Sequence, residues 1–313
     1  MLQNIQEYPI FYSFDGLLSS TNKIISSNLR KKLENLLVLL NALQKNQMIY
    51  VAFSGGVDSS LIAKLAYDIL KEKVVAVTGI SPSLAEDEIK TAENISKMIG
   101  VRHIFIETNE MKNENYFKNP ENRCYYCKSE FYKQLNTYIK NQKITGFVIL
   151  DGTNYDDLQD YRPGTIAAGE SDVRSLLQEA QMTKKEIRLI SHLLQIPVWN
   201  KPSTPCLSSR VAFGERITSE KLRAIEKAEN IIHNLGIQQV RVRYHTGAIA
   251  RIEVHPSDFS SILQNYDLLS KALKQVGFQY ITLDLEGYRK GSLHLLNNNQ
   301  NNKDNNSDKN EHS

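Results

Sequence analysis

The sequence predicts an α/β protein: a parallel-sheet domain followed by a smaller α+β domain. Three observations carry that reading. Short apolar runs alternate with helical stretches from residue 48 to residue 150. The first run ends in a polar, glycine-bearing turn, VAFSGGVDSS at 51–60. After about residue 200 the order becomes helix-strand-strand-helix-strand. Strands that read as continuous apolar runs, joined through helices, belong in a parallel sheet covered on both faces.

Residues 1–28 show no clear period and are read as an N-terminal extension, an arm able to dock its aromatics on the body. Residues 29–45 place Leu33, Leu36, Leu37, Leu40 and Leu43 on one helical stripe. MIYVAF (48–53) is a strand, and 59–71 a helix. VVAVTG (74–79) is a strand, and 85–99 a helix closed by Gly100. HIFIE (103–107) is a strand, 125–140 a helix, and FVIL (147–150) a strand running into DGTN. Ligands of such sheets sit at the carboxyl ends of the strands, where VAFSGG and VILDGTN place their turns. The first domain therefore covers 29–200, with a boundary near Lys201. The second, 201–293, holds a helix at 218–235 with Thr218 as N-cap and Gly236 as stop. VRVRYH, IARIEV, a helix from Ser257 to about Val276, and YITLDL complete it. Residues 294–313 are asparagine-rich and polar, and are expected to be disordered.

Lys and Arg number 38 against 35 Asp and Glu, a net charge of +3, which gives no support for a broad nucleic-acid surface. Apolar runs such as Leu36–Leu40 are far too short to span a bilayer, and no membrane partner is expected. The N-terminus has no basic n-region and no small-residue cleavage site, so the expected location is cytoplasmic. In that reducing compartment Cys124, Cys127 and Cys206 are thiols or metal ligands rather than a disulfide framework. The seven histidines form no HxxxH or HExxH pair.

A strand that ends in Ser54-Gly55-Gly56 and restarts as a helix presents backbone N–H groups to an anion. Ser54, Ser59 and Ser60 add hydroxyl donors. Asp58 is badly placed against bare phosphate, so a bridging Mg²⁺ is the natural reconciliation. There is no GxxxxGK, so the loop is not a Walker A loop. The CYYC of Cys124 and Cys127 reads in three ways with Cys206: an iron–sulfur site, a zinc site completed by His103 or His192, or a redox pair. Arg241 and Arg243 point to one face of a strand, either solvated or functional. Glu229 falls in the apolar stripe of Leu222, Ile225 and Ile232. Either Ala228 faces inward and Glu229 sits at the border, or Glu229 meets a cation or metal near the arginines.

SGGVDSS resembles the PP-loop of the ATP pyrophosphatases, the adenine nucleotide alpha hydrolase-like group that includes GMP, NAD and asparagine synthetases and tRNA thiolases. LDGTNYDDLQDYRPG (150–164), RSLLQEA (174–180), NKPSTPCLSSR (200–210) and RVRYH (241–245) together resemble the LarE sulfur transferases. The resemblance runs from about residue 30 to 291. It implies an enzyme that adenylates a carboxylate of pyridinium-3,5-biscarboxylic acid mononucleotide, releases pyrophosphate and forms a thiocarboxylate. That product serves nickel-pincer nucleotide biosynthesis.

The resemblance also implies roles for residues. Ser54, Gly55, Gly56, Asp58, Ser59, Ser60, Asp151, Arg174 and Ser175 would bind ATP, with Mg²⁺ on Asp58. Asn154 and Asp160-Tyr161-Arg162 would lie near the nucleotide or the substrate. Ser209, Arg210, Glu229, Arg241 and Arg243 would bind the mononucleotide, with arginine forks on its phosphate. Some members sacrifice the cysteine at the position of Cys206; others hold a [4Fe–4S] cluster on three cysteines, here Cys124, Cys127 and Cys206. Three thiolates leave one iron of a cubane without a protein ligand. An unidentified sulfur donor and a homo-oligomer complete the expectation. Two alternatives stand beside it: a PP-loop tRNA thiolase, and an amide-forming adenylating enzyme like NAD or GMP synthetase.

The cluster has a direct test. Anaerobic purification with iron and acid-labile sulfide counted per chain is expected to give about four of each. Both should fall on substitution of Cys124, Cys127 or Cys206. A protein that stays colourless after reconstitution would leave Cys206 as a sacrificial donor, or zinc as the ligand of the trio.

Overall fold

Alternation with a period of two decides both faces of the first sheet. The computed structural model describes residues 13–19, 25–43, 47–159 and 162–289. Strands β1 (Met48–Ala52), β2 (Val74–Ile80), β3 (Arg102–Glu107) and β4 (Phe147–Leu150) form one parallel sheet in the order β3-β2-β1-β4. Ile49 and Val51 of β1, with Val74 and Ala76 of β2, join one core. Tyr50, Ala52, Val75 and Val77 join the core on the opposite face. Helices Ser27–Asn41, Val57–Leu70, Glu86–Ile99 and Lys184–Leu193 contribute Leu33, Leu61, Ile95 and Ile187 to the first core. Helix Arg123–Asn141 covers the second with Phe131, Tyr132, Leu135 and Ile139.

The strand order fixes where a ligand can enter. From β1 the chain builds outward through β2 and β3, then returns to place β4 on the other side of β1. The crevice at the carboxyl ends of β1 and β4 is thus the topological switch point of the sheet. A one-residue parallel bridge, Leu150 to Arg174, extends that edge; Asp151 N donates to the Arg174 carbonyl at 3.2 Å and Arg174 N to that of Ile149 at 2.9 Å.

The described residues part into two units: those up to Glu110 with Asn122–Thr204, and Met111–Glu121 with those from Pro205 on. Residues 111–121, counted with the first domain by chain order, pack with the second. The Tyr116 hydroxyl lies 2.7 Å from Ser208 Oγ, Asn119 Nδ2 donates to the carbonyls of Val211 and Ala212 at 3.1 and 2.7 Å, and the Arg216 guanidinium lies 4.3 Å from the Phe117 ring centre.

In the second unit β5 (Val240–His245) pairs antiparallel with β6 (Ile249–Val254), and β7 (Tyr280–Leu283) pairs parallel with β6. Helix Ser219–His233 is capped by Thr218, whose side chain accepts from Lys221 N. The single helix expected from Ser257 to about Val276 is two, Phe259–Gln264 and Tyr266–Gln275, broken at Asn265. The Asn265 side chain donates to the Ser261 carbonyl at 2.8 Å, a local bond that competes with helix continuation.

In the N-terminal arm, helix Phe14–Leu18 buries Phe14 and Leu17, and Phe14 N donates to Asp68 Oδ2 at 3.0 Å. The expected tail at 294–313 and the candidates Asp160 and Tyr161 lie outside the described residues. Among the described residues no helix is long and apolar enough to cross a membrane.

His103 is committed to the frame. Thr78 Oγ1 donates to the Phe53 carbonyl at 2.5 Å, so His103 Nε2, 2.8 Å from that hydroxyl, is the donor between them. His103 Nδ1 lies 3.0 Å from Ser96 Oγ. Both ring nitrogens are therefore engaged, which takes His103 out of the zinc reading. Burial lowers its pKa from the ordinary 6.5, against a smaller upward pull from Glu93. Since the folded value is depressed, the unfolded chain takes the proton first. The contribution to stability is whole above pH 6.5 and is lost as pH falls below it towards the folded value. Chemical denaturation between pH 8 and pH 5 should show that loss, and the difference between wild type and His103→Gln should isolate it. A difference that does not change with pH would contradict the assignment.

Candidate functional site

The loop after β1 is held open by its own hydroxyls. Gly55 has φ +69°, and a Cβ there would lie 2.8 Å from the Ala92 Cα, so the glycine is required by both conformation and space. Ser54 Oγ and Ser59 Oγ are 3.1 Å apart, and Ser59 Oγ accepts from Ser54 N at 3.2 Å. Helix Val57–Leu70 then begins at Gly56 with no side-chain cap. Its first-turn amides have no intrahelical acceptor and face outward with the positive end of the helix dipole. The fully buried Ser60 hydroxyl has no hydrogen-bond partner among the described residues. The β4 turn seals the other side: a Cβ on Gly152 would lie 2.7 Å from Ser59 N.

Around this loop the sequence candidates separate. Asp58, expected to hold Mg²⁺, pairs with the Lys184 ammonium and accepts from Asn154 Nδ2 at 3.5 Å. Asn154 N donates to Asp157 Oδ2 at 3.0 Å, and Asp157 pairs with Arg162 at 2.7 Å. Burial pushes the Asp157 carboxyl up, and nearby Asp58 adds to the rise, while the Asn154 amide and Arg162 oppose it. Asp151 is buried and accepts from Ser175 Oγ and Thr153 Oγ1, both at 2.7 Å. Arg174 gives its backbone to β4 but turns its guanidinium to Glu179, at 2.5 and 3.2 Å. Asp151 and Ser175 thus meet at one place, while the Arg174 side chain is engaged elsewhere.

Cys124 and Cys127 lie one turn apart at the start of helix Arg123–Asn141, Cys124 exposed and Cys127 half-buried. The Lys128 ammonium lies 5.8 and 5.7 Å from the ring centres of Phe131 and Tyr132. Tyr132 first, then Asp151, Cys127 and Cys124, raise its pKa against the opposing effect of burial. The Tyr132 hydroxyl beneath it is buried without a hydrogen-bond partner among the described residues. The donor kind suits iron–sulfur chemistry: the thiols of Cys124 and Cys127 stand one turn apart, and Cys206 belongs to the second unit. No three Cys, His, Asp or Glu side chains are already gathered as a metal site among the described residues.

In the second unit Arg210 and Arg243 each meet a buried carboxylate. Arg210, 2% exposed, grips both Glu229 oxygens at 3.0 and 3.1 Å and reaches the carbonyls of Pro205 and Cys206. Glu229 is buried together with Ala228, and also accepts from Val242 N at 3.0 Å. Arg243 donates to Glu253 at 3.0 and 2.7 Å and to the Ser209 carbonyl at 2.9 Å. Arg241 is buried, donates to the Val240 carbonyl at 2.6 Å and lies 5.5 Å from the Tyr288 ring centre. Burial, with Arg210 adding repulsion, pushes the Arg241 guanidinium down from its ordinary range. Cys206 opens the turn Leu207–Arg210, half-buried, with its carbonyl taken by Arg210 and by Ser209 N. Cys206, Ser209, Arg210, Glu229 and Arg243 thereby form one connected polar set.

Two participants escaped the sequence reading. Lys184 begins a helix whose signal was present, Thr183-x-x-Glu186, a capping box that the structure forms in full. Glu253 carries no motif; only the register, which sets Arg241 opposite Glu253, reveals it.

A family described as asparagine synthase matches residues 40–123, the stretch from β1 through β3 to the start of the CYYC helix. An uncharacterised protein of Synechocystis sp. is 47% identical over 268 residues, 85% of this chain and 97% of that protein. Pyridinium-3,5-bisthiocarboxylic acid mononucleotide synthase of Lactiplantibacillus plantarum is 35% identical over 256 residues, 82% of this chain and 92% of that enzyme. An uncharacterised protein of Methanocaldococcus jannaschii is 32% identical over 261 residues, 82% of this chain and 98% of its own length.

Truncating Glu229 would strand the Arg210 charge in the interior. Glu229→Ala is expected to cost about 3–5 kcal/mol in denaturant unfolding, and Glu229→Gln less, because the amide keeps one acceptor. Wild-type stability in Glu229→Ala would show that the pair is not desolvated.

Proposed function

The chain belongs to the LarE family of ATP-dependent sulfur transferases, and from that premise we propose that it thiolates pyridinium-3,5-biscarboxylic acid mononucleotide. The carrying observation is the match to the Lactiplantibacillus plantarum synthase over 92% of that enzyme's length, which spans residues of both units. A substrate carboxylate oxygen attacks the α-phosphorus of ATP and pyrophosphate leaves. A sulfur nucleophile then attacks the acyl carbon and AMP leaves, giving the thiocarboxylate.

The residues divide the work. The first-turn amides of Val57–Leu70, with Ser54, Ser59 and Ser60, hold the departing pyrophosphate, whose charge grows as the P–O bond breaks. Mg²⁺, for which Asp58 is the carboxylate at hand, would neutralise part of that charge. Asp151, fixed by Ser175 and Thr153, orients the nucleotide. Arg241 and Arg243, with Ser209 and Arg210 beside Cys206, hold the phosphate of the mononucleotide and set its carboxylate in place. Glu229 and Glu253 hold Arg210 and Arg243 in position. A [4Fe–4S] cluster on Cys124, Cys127 and Cys206 would supply sulfur without consuming a cysteine; without one, Cys206 gives up its own. A homo-oligomer supplied by an unidentified sulfur donor completes the reading.

The test is product analysis under anaerobic conditions with ATP, Mg²⁺, the mononucleotide and sulfide. AMP, pyrophosphate and a mononucleotide that has exchanged oxygen for sulfur are expected, all lost in Ser54→Ala/Ser59→Ala. AMP formed only with tRNA or only with ammonia would move the reading to a tRNA thiolase or to an amide-forming synthetase.

A further inference from the structure

One face of the second sheet is charged. Along β5 alternation sets the fully buried Val240 and Val242 on one face and Arg241, Arg243 and His245 on the other. The antiparallel register places Glu253 opposite Arg241 and Arg251 opposite Arg243. Two arginines facing each other across a ladder repel. Glu253, whose side chain is fully buried, takes both. Its Oε2 accepts from Arg243 at 3.0 and 2.7 Å, and its Oε1 pairs with Arg251 at 3.0 Å. Arg251 is held by two further groups: its Nη1 also pairs with Asp284, and its Nε donates to His245 Nε2 at 3.0 Å.

A guanidinium stays protonated and has no acceptor, so in that last bond the ring supplies the lone pair. His245 is thereby a neutral imidazole with its proton on Nδ1. Burial first, then Arg251, lowers its pKa from the ordinary 6.5; Arg243 adds to the fall, while Glu253 and Glu215 oppose it. The charged groups around the ring are Arg243 on its own strand, Arg251 and Glu253 on β6, and Glu215 from the loop before helix Ser219–His233. Glu215 is itself paired with Lys221 and accepts from Thr246 at 2.7 Å, and beyond Arg251 lies Asp284, just after β7. A proton on Nε2 would aim a hydrogen at Arg251 in place of the lone pair and set a like charge beside it.

We propose that neutral His245 is a positioning residue for Arg243: it holds Arg251 on one oxygen of Glu253, which keeps the other oxygen turned to Arg243 and the Arg243 fork at a fixed angle. The inference rests on the reading of Arg243 as a ligand of the mononucleotide phosphate and adds the residue that sets its geometry. His245 acts through a chain, ring to Arg251 to Glu253 to Arg243, and does not itself touch the phosphate. A fork aligned before its anion arrives has less ordering left to undergo on binding. Protonation of the ring releases Arg251, Glu253 turns with it, and the alignment is lost as pH falls below 6.5 towards the folded value. The added charge alone would attract phosphate, so weaker binding on acidification reports alignment and not charge.

Two measurements on the full chain decide it. With nitrogen-labelled histidine and arginine, NMR at about pH 7.5 should show His245 Nε2 unprotonated, and a slowly exchanging Arg243 Nε–H. That exchange should quicken by about threefold or more in His245→Phe and return in His245→Gln, whose amide oxygen can still accept from Arg251. Calorimetric titration with pyridinium-3,5-biscarboxylic acid mononucleotide should find binding weakened about three- to tenfold in His245→Phe and largely recovered in His245→Gln, with ATP within about twofold in both. Between about pH 7.5 and pH 5.5 the wild type should lose affinity relative to His245→Gln, a comparison that cancels titration of the ligand's own phosphate. A protonated Nε2 at pH 7.5, unchanged Arg243 exchange in His245→Phe, no recovery in His245→Gln, or a parallel loss of ATP would overturn the proposal. A wild type that shows the expected exchange pattern yet does not bind the mononucleotide would instead overturn the substrate reading, with the hold of His245 on Arg243 supported by the exchange alone.

Discussion

The first turn of helix Val57–Leu70 carries amides that neither a carbonyl nor a side-chain cap satisfies. Its neighbours keep that end uncovered. The Ser59 hydroxyl turns back to Ser54 and Gly56, and Gly56 as N-cap has no side-chain oxygen to offer. Strand order then brings β4 alongside β1, so that Gly152 closes on Ser59 from the other side. A glycine N-cap gives up about a few tenths of a kcal/mol that a serine or aspartate cap would provide. Under the proposed function those amides serve a ligand rather than the protein.

The second unit solves the opposite problem. Arg210, Arg241 and Arg243 are inside the protein, where an unpaired charge would cost several kcal/mol. Each of Arg210 and Arg243 meets a carboxylate, and the carboxylates come from different elements: Glu229 from helix Ser219–His233, Glu253 from β6. Ion pairs of this type contribute less to stability than to alignment, because a fork-shaped group held at two points has little freedom left. Arg210 also reaches the carbonyls around Cys206, so the backbone at the thiol is held by the same alignment.

Much of this was legible in the chain. The four apolar strands of the first sheet and the leucine stripe at Leu33, Leu36 and Leu40 follow from local periodicity, which survives folding because the core enforces it. The phosphate loop was legible because Gly55 answers a steric demand that few other turns make. What could not be seen depends on partners distant in sequence. Asp58 and Lys184 are 126 positions apart, and no local pattern joins them. The buried state of Arg241 and Arg243 depends on β6 and Tyr288, and the alternation of β5 alone fits a wet face as well as a dry one. The break at Asn265 was hidden because the apolar period continues across it.

The segment 111–121 gives the chain a particular history of assembly. Nascent residues up to Glu110 provide three strands of the first sheet, but β4 comes only after the detour through Tyr116 and Asn119. That detour cannot be satisfied until Ser208, Val211 and Ala212 have been made, more than ninety residues later. Until synthesis passes them, the hydrogen bonds of Tyr116 and Asn119 to those residues cannot form, and closing so long a loop is slow. The C-terminal unit is therefore not a module that could be transferred by cutting at Pro205, because its packing includes residues encoded in the middle of its neighbour. Recombination within this family would be expected to exchange whole chains rather than halves.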